Sequence, residues 1–203
     1  MHFTHIDHLE SVVDQGLVAD AVARVDRRLA VEVGNLEIKE RRRKRVVPVG
    51  PGGFVGDYVP FYFAPRSPMM YVIHKGGVPT FSGGCARLVY LVTSVEKLES
   101  SGLSLVFADR NAVLGFARFT ERVGDLDALV DWPLMRAMMW NNTSADPDRR
   151  ERRMAECLAH RVVPWPAIEC VVAASDSVAR EVRGILATAC ATTPVNVLAR
   201  WYF

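Results

Sequence analysis

The chain has 203 residues, 50% of them apolar and 24% charged, which predicts one globular domain spanning residues 1–203 with a substantial core. This composition excludes an intrinsically disordered chain, collagen and a coiled coil. The formal net charge is only +2 and gives no reason to expect a polyanionic partner. The charge is uneven, however, because Lys39–Arg45 (KERRRKR) has a local net charge of +5 and leaves −3 for the rest.

The first half of the chain predicts a strand, a helix and a long loop. Alternating apolar and polar residues in MHFTHID indicate a strand, and the period of SVVDQGLVADAVARVDRRLA indicates a helix interrupted at Gly16. A stretch rich in glycine and proline follows the basic segment, which favours a long structured loop leading into a strand. The β-branched and aromatic runs MYVIHKG and RLVYLVTSV are typical of strands.

The middle of the chain favours helices. SVEKLESSG and NAVLGFARF are interpreted as short helices, and DLDALVDWPLMRAMMW as a helix that breaks near Asn141–Ser144. Pro147 after Asp146 is typical of a new helix, with the aspartate as its cap and the proline at its first position.

The end of the chain returns to strands. ECLAHRVV, ECVVAAS and NVLARWYF predict strands, and SVAREVRGILATA predicts a helix between the last two. The expected fold class is therefore α+β with a strand-rich core.

The lack of targeting segments and of paired cysteines indicates the compartment of the protein and the state of its thiols. The N-terminus lacks a basic segment followed by an apolar one, and no apolar run approaches the roughly 18 residues of a membrane span. We therefore expect a cytoplasmic protein without a membrane segment. The four scattered cysteines form no CxxC pair, which favours buried reduced thiols over disulfides or zinc ligands.

Two familiar signals carry little weight. GPGGFVG fits neither the dinucleotide nor the P-loop pattern. His2, His5 and His8 are spaced by three, but in a strand only His2 and Thr4 share a face, so three-histidine metal binding is disfavoured. We expect no metal site.

The basic segment has two open interpretations. A charge run is most often a solvated helix face. Here it leads through a flexible turn into DYVPFYFAPRSP, and cations beside stacking aromatics are typical of single-stranded nucleic-acid or dinucleotide binding. The aromatic run is alternatively a core strand.

A second basic cluster precedes an acid in apolar surroundings. Acidic neighbours moderate the cluster, which is either a salt-bridged helix surface or a phosphate-binding one. Glu156 is the only acid between Met154 and Ala159, and a carboxylate entering a core is costly unless it is paired or functional. Either it pairs with an arginine or it faces a cleft. The cluster consists of Arg149, Arg150, Arg152 and Arg153.

Segments along essentially the whole chain resemble the DarT family of DNA ADP-ribosyltransferase toxins, and DYVPFYFAPRSPM is the most specific of them. The others are HFTHIDHL, ERRRKRVVPVGPGG, VFADRNAV, DW with a later Trp140, ADPDRRERRMAECL, PWPAIE and the final WYF.

The resemblance implies an ADP-ribosyltransferase-like split β core with flanking helices around an NAD cleft. It implies a toxin of a toxin–antitoxin system that transfers ADP-ribose from NAD to a base in single-stranded DNA, with thymine favoured and guanine possible. The implied partner is a macrodomain antitoxin of the DarG type. A transferase acting on RNA or protein, and a catalytically silent nucleic-acid-binding module, remain open alternatives.

The resemblance also assigns residues. Glu156 matches the family's essential glutamate and Arg42 its catalytic arginine, with Arg41 as the alternative if the register shifts by one. The NAD-contacting residues correspond to His2, Phe3, Thr4, Ser11, Arg42, Tyr62 and Met69. The family's NAD-binding element would run from about Arg27 to Arg45 and its substrate loop from about Asp109 to Glu156. Beside that loop, the four arginines of the second cluster are candidate DNA phosphate contacts, and Trp140 is either a stacking platform or a core residue.

Overall fold

The computed structural model describes residues 1–25 and 30–203. Its strands are β1 (His2–His5), β2 (Leu17–Val18), β3 (Tyr58–Tyr62), β4 (Leu88–Val92), β5 (Leu105–Ala108), β6 (Phe119–Thr120), β7 (Glu156–His160), β8 (Val162–Val163), β9 (Cys170–Ala173) and β10 (Val195–Val197). Its helices are α1 (Leu9–Gln15), α2 (Asp20–Val25), α3 (Leu36–Lys44), α4 (Pro68–His74), α5 (Val95–Ser100), α6 (Leu126–Leu129), α7 (Trp132–Arg136), α8 (Arg149–Arg152) and α9 (Asp176–Thr188).

Two four-stranded sheets form the centre of the fold. One has the order β1-β4-β9-β10 and the other the order β3-β7-β5-β6, while β2 and β8 form a separate pair. All pairings are antiparallel except that of β9 with β10. The main core lies between the two sheets, where Val89 and Leu91 of β4 pack in one cluster with Val59 and Phe61 of β3. The α+β prediction is confirmed.

The two sheets meet where β1 passes β3. The backbone N–H of Tyr62 donates to the carbonyl of Met1 at 2.8 Å, which ties the start of β1 to the end of β3. The ring of Phe3 on β1 stacks on Tyr62 at 6.4 Å between centroids. This junction brings the N-terminal residues beside the β3–β7 pair, which explains how positions at the start of the chain approach positions near residue 60.

Gly16 ends the first helix, as the sequence predicts. Its φ of 84° lies in the left-handed region, and a Cβ there would come within 2.9 Å of Val162 Cγ1 and of the Val163 carbonyl oxygen. Only glycine avoids both the strain and the contact. The predicted helix therefore divides into α1 and α2, with β2 between them.

Two predicted elements are wrong. The run MYVIHKG is helix α4 rather than a strand, because Ser67 accepts from the N–H of Met70 and Pro68 occupies the first turn. NAVLGFARF is not a helix, since it forms the turns between β5 and β6 that Asp109 organises by accepting from the N–H of Arg118.

Other boundaries differ from the sequence prediction. Helix α8 begins at Arg149 with Asp148 as its N-cap residue, two positions after the predicted start. The predicted strand ECLAHRVV divides into β7 and β8 at Arg161, which has a φ of 64°. Only the first part of NVLARWYF is a strand, and the helical stretch before Asn141 consists of the short helices α6 and α7.

The cysteines are free, as expected, but they are not all buried. Cys85 and Cys157 lie in the interior, Cys170 is half-buried and Cys190 is exposed. Burial raises the pKa of the Cys85 thiol to about 11. Among the residues that the structure describes, no helix is both long and apolar enough to cross a membrane.

Candidate active site

A largely buried ion pair joins the two residues that the sequence singles out. Glu156, the first residue of β7, is 0% exposed. Arg42 on α3 donates from Nη1 to both carboxylate oxygens, at 3.1 Å to Oε1 and 2.9 Å to Oε2. Arg42 Nη2 is buried and has no hydrogen-bond partner within residues 1–25 and 30–203. The pair thus retains an unused donor beside a buried carboxylate.

Ion pairs, rather than an apolar face, place the basic helix. None of its residues is buried, and Asn35 caps its N-terminus by accepting from two backbone N–H groups. Lys39 Nζ lies 3.0 Å from Asp20 Oδ1, and Arg43 Nη2 lies 2.7 Å from Asp20 Oδ2. A Cβ on Gly56 would lie 3.2 Å from Arg43 Cα, so glycine permits this close approach. The solvated-face interpretation therefore does not describe α3 as a whole.

The register of α3 selects one arginine. Arg42 contacts Glu156, whereas Arg41 is exposed and forms no ion pair within the described part of the chain. The alternative assignment to Arg41 is therefore not supported by the geometry.

A row of paired residues crosses the second sheet at Glu156. Tyr62 of β3 and Ala108 of β5 are its partners on either side. Paired residues on adjacent strands project to the same face, so Tyr62 and Glu156 share one face. Burial, followed by the nearby Glu156 charge, raises the pKa of the Tyr62 phenol. The Tyr62 hydroxyl donates to the Sδ atom of Met69 at 3.8 Å, which brings two predicted NAD-contacting residues together.

His2 lies against the same strand as a neutral ring. Its Nδ1 is 2.8 Å from the carbonyl oxygen of Pro60, and a carbonyl only accepts, so Nδ1 carries the proton. Burial lowers the pKa of His2 to about 4, and the nearby Arg42 charge acts in the same direction. Nε2 of His2 is therefore an acceptor at neutral pH.

Thr4 is held by His8, to which sequence reasoning assigned no role. The N–H of Val31 donates to His8 Nε2 at 3.0 Å, so His8 Nδ1 carries the proton and donates to Thr4 Oγ1 at 2.9 Å. Burial, followed by the charge of His5, lowers the pKa of His8. The burial of His8 had one signal in the sequence, because His8 directly precedes the apolar residue Leu9, which lies in the core.

The remaining residues predicted to bind NAD have no described contact with the Arg42–Glu156 pair. Ser11 lies partly exposed on α1, and no contact within the described residues links its side chain to Arg42 or Glu156. Of the predicted NAD-binding element Arg27–Arg45, residues 26–29 lie outside the described residues. No group of three His, Cys, Asp or Glu side chains in the described ranges is arranged to hold a metal ion.

The second basic cluster divides into buried and exposed members. Arg153 is 4% exposed and donates from Nη1 to the carbonyls of Leu134, Met135 and Ala137 and from Nη2 to that of Pro65. This geometry corrects its expected role as a DNA phosphate contact, because the side chain is buried and both terminal nitrogens already donate to backbone carbonyls.

The other three arginines of the cluster differ in their partners. Arg152 contacts Asp131, Asp146 and Asp148, so its charge is balanced locally. Arg149 donates to the carbonyl of Met139 and pairs with Asp146, whereas Arg150 is exposed.

Trp140 lies in the interior. It is buried, and its ring packs edge-on against Tyr71 with centroids 6.0 Å apart. The core interpretation of Trp140 therefore fits the structure, and its use as a free stacking platform does not.

Comparison with known proteins defines the class. The family described as "ssDNA thymidine ADP-ribosyltransferase, DarT" matches residues 1–203. A DNA ADP-ribosyl transferase of Thermus sp. (strain 2.9) is 39% identical over 186 residues, which cover 91% of this chain and 85% of that protein.

Solved structures agree. Thermus sp. 2.9 DarT in complex with ADP-ribosylated ssDNA superposes with a TM-score of 0.92 at 36% identity, covering 100% of this chain and 94% of that one. The same protein in complex with NAD+ gives a TM-score of 0.88 at 34% identity, covering 100% and 96%.

The fold is therefore that of an ADP-ribosyltransferase, and it places a largely buried arginine–glutamate pair beside residues expected to contact NAD. The chain belongs to the DarT family of NAD-dependent DNA ADP-ribosyltransferases. This membership confirms the resemblance seen in the sequence.

Proposed function

We propose that this protein transfers ADP-ribose from NAD to a thymine base in single-stranded DNA, with residues 1–203 acting as one catalytic unit. The observation that carries the proposal is the Arg42–Glu156 pair, buried at the start of β7 beside Tyr62 and His2. The complex of the Thermus relative with ADP-ribosylated ssDNA supports single-stranded DNA as the acceptor, and the family description names thymidine. Guanine is the alternative acceptor base.

Glu156 supplies negative charge where the reaction requires it. Bound NAD supplies the ADP-ribosyl group when its bond to nicotinamide breaks, with positive charge developing on the ribose, as in other glycosyl transfers. A carboxylate in a water-poor site interacts more strongly with such charge than one in solvent. Glu156 is therefore assigned the stabilisation of the ribose, and its second oxygen can orient the accepting base or take its proton.

Arg42 is assigned an electrostatic role. A guanidinium does not deprotonate in proteins, so Arg42 is not the base. Its Nη1 holds Glu156 in place. The unused Nη2 donor is available to the pyrophosphate of NAD or to the negative charge that builds on the acceptor base.

The residues of β1 and β3 are assigned to NAD binding. His2 offers Nε2 as an acceptor for a hydroxyl, and Thr4 is oriented by His8. Phe3, Tyr62 and Met69 form an apolar and aromatic wall that suits the nicotinamide side. Ser11 keeps its assignment from the family pattern alone.

DNA contacts are assigned to the two members of the second basic cluster that solvent reaches best, the exposed Arg150 and the half-buried Arg149. Arg149 and Arg150 are retained as phosphate contacts, because single-stranded DNA binding relies on cations that solvent can reach. Arg152 is kept only as a minor contributor, since three aspartates surround it. A single-stranded substrate avoids the unstacking cost of a few kcal/mol that a duplex imposes.

The family also suggests the biological setting. We propose that the protein is the toxin of a toxin–antitoxin pair, opposed by a macrodomain hydrolase of the DarG type. Because NAD and genomic DNA meet in the bacterial cytoplasm, the proposed reaction would occur there.

The test uses the full chain with labelled NAD and separate single-stranded DNA, RNA and protein substrates. We expect label on thymine-containing DNA, none on matched oligonucleotides without thymine, and a loss of at least about 100-fold in Glu156→Gln. Arg180→Gln, at an exposed position of α9, is the matched control and should keep full activity.

Other results would overturn the assignment. Label on RNA or protein alone would make the protein a transferase of the same fold with another acceptor. Binding of DNA without any label would make it a silent binding module. Label on guanine, identified by mass spectrometry, would change the base.

A further inference from the structure

We propose that Arg45, Phe116 and Phe119 form a subsite for the nucleotide next to the modified one. The inference rests on the proposed function and adds a position that recognises the neighbouring part of the same DNA strand. It begins from two aromatic rings near one cation, of which Phe116 is exposed and Phe119 is half-buried against the core cluster that includes Ala108.

The row across the second sheet connects this surface to Glu156. Glu156 pairs with Ala108 of β5, and Ala108 pairs with Phe119 of β6. Paired positions project to the same face, and adjacent strands are about 4.8 Å apart. Phe119 therefore lies on the Glu156 face, about 10 Å away across two strand spacings. This separation exceeds one base ring and suits the next nucleotide of a strand.

Helix α3 and the residue after it reach from Glu156 to Phe119. Arg42 contacts Glu156, and three residues later the guanidinium of Arg45 lies 5.7 Å from the ring centre of Phe119. Arg45 Nη2 also donates to the carbonyl of Gly115 at 3.2 Å, directly before Phe116. The helix thus places one arginine at the candidate active site and another at the proposed subsite.

Arg45, like Arg41, keeps its charge unpaired, but of the two only Arg45 lies beside an aromatic ring in the described part of the chain. Lys39, Arg43 and Lys44 all pair with acids. Arg45 pairs with no carboxylate within residues 1–25 and 30–203, and its Nε atom is buried without a hydrogen-bond partner there. An uncompensated guanidinium beside a ring suits a phosphate joined to a stacked base.

The loop supplies an exposed ring. Phe116 is 62% exposed, and the guanidinium of Arg110 lies 5.0 Å from its ring centre. The acid that shapes this loop, Asp109, is buried and bound by both Arg110 and Arg118, while the side chain of Arg118 is 67% exposed. The surface therefore offers the Arg118 cation and the Phe116 ring to solvent, while Arg110 is only 14% exposed and also pairs with the partly exposed Asp148. The accessible cation and ring favour a stacking base joined to a phosphate over an apolar peptide.

The experiment compares short oligonucleotides that hold one thymine and have the neighbouring base either present or replaced by an abasic nucleotide, on each side in turn. For the wild-type chain we expect removal of the base on one side to raise KM about 10-fold, with kcat within about twofold. In Phe116→Ala we expect KM for the intact oligonucleotide to rise by a similar factor and the abasic effect to disappear. Arg45→Gln should reduce the salt dependence of oligonucleotide binding by about one phosphate contact.

Matched controls separate this surface from others. Tyr71→Ala removes a ring that is 40% exposed and lies 5.6 Å from Lys75 Nζ, and it should keep the full abasic effect. Arg180→Gln should keep the wild-type salt dependence. Unchanged thermal unfolding of Phe116→Ala and Arg45→Gln would establish that the changes are local.

Each other outcome is decisive. A wild-type enzyme that labels thymine without any abasic effect, or a Phe116→Ala enzyme that keeps the whole effect, overturns the subsite and leaves the proposed function intact. Transfer of the effect to Tyr71→Ala places the neighbouring base on α4 instead. A wild-type chain that labels no oligonucleotide refutes the proposed function, and the subsite with it.

Discussion

Arg42 and Glu156 stand 114 residues apart in the chain, yet a single guanidinium nitrogen donates to both oxygens of a fully buried carboxylate. Removing both charges from water is costly, and their mutual attraction offsets this cost only with good geometry. The pair is therefore weak evidence for stability and better explained by function. Either residue without its partner would therefore destabilise the folded protein.

Breaking this pair should destabilise the protein in a coupled manner. We expect Arg42→Met and Glu156→Gln each to lower the free energy of unfolding by about 3 kcal/mol, because each leaves one buried group without its partner. The double variant should lose less than the sum, by at least about 1 kcal/mol. Urea unfolding of the four proteins measures the coupling, and simple additivity would show that the contact contributes no pairwise energy.

The second prediction separates the two roles within the arginine cluster. Arg153→Met removes donors from four backbone carbonyls, so the free energy of unfolding should fall by about 3 kcal/mol or more. Arg150→Ala should change it by less than about 0.5 kcal/mol. For binding to single-stranded DNA we expect the larger effect from Arg150→Ala instead. This variant should lower the slope of log affinity against log salt concentration by about 1. A stable Arg153→Met protein with weakened DNA binding would restore the original phosphate-contact assignment.

The pH dependence of stability should carry a contribution from His2. Its pKa is about 4 in the folded protein against 6.5 when exposed, so between those values the unfolded chain binds more protons. Stability therefore rises with pH from about 4 to 6.5 and is lost as the pH falls. In His2→Asn, whose side-chain amide can still donate to the Pro60 carbonyl, the slope of unfolding free energy over this window should decrease. Equal slopes in both proteins would show that His2 titrates normally.

A fourth prediction concerns the end of α9. Cys190 has a φ of 54°, while its N–H donates to the Ala187 carbonyl and the N–H of Ala191 donates to that of Leu186. These two bonds form a Schellman motif, whose left-handed position favours glycine. We expect Cys190→Gly to raise the free energy of unfolding by about 0.5–1 kcal/mol. Thermal unfolding checks this, and Cys190→Ala should give no such gain because alanine keeps the Cβ.

Local sequence patterns correctly predicted several helices and strands. Gly16 ended the first helix, and the strand around Leu88–Val92 and helix α9 formed where their patterns indicate. The MYVIHKG run failed because a serine cap and a proline at the first turn outweighed its β-branched residues. Short elements such as β6 and α8 depend on tertiary contacts more than on the intrinsic propensity of their residues. The sequence therefore did not predict where they begin and end.

Part of the candidate site was likewise visible in the sequence. An acid in an apolar run is costly unless it is paired or functional, so either a pair with an arginine or a cleft followed from charge and burial alone. The family pattern named both residues. The choice between Arg41 and Arg42 was open because adjacent helical residues differ by about 100° in direction, and only packing determines which one faces the sheet.

The sequence by itself determined the α+β class, the family, the concentration of charge at Lys39–Arg45 and the chemistry of the candidate residues. Only the tertiary structure decided that Arg42 pairs with Glu156, that Arg153 is interior and that His8 orients Thr4. The physical reason is that residue type sets what a side chain can do, whereas strand register and helix placement set which partners it meets. For a buried charge, the identity of its partner determines its role.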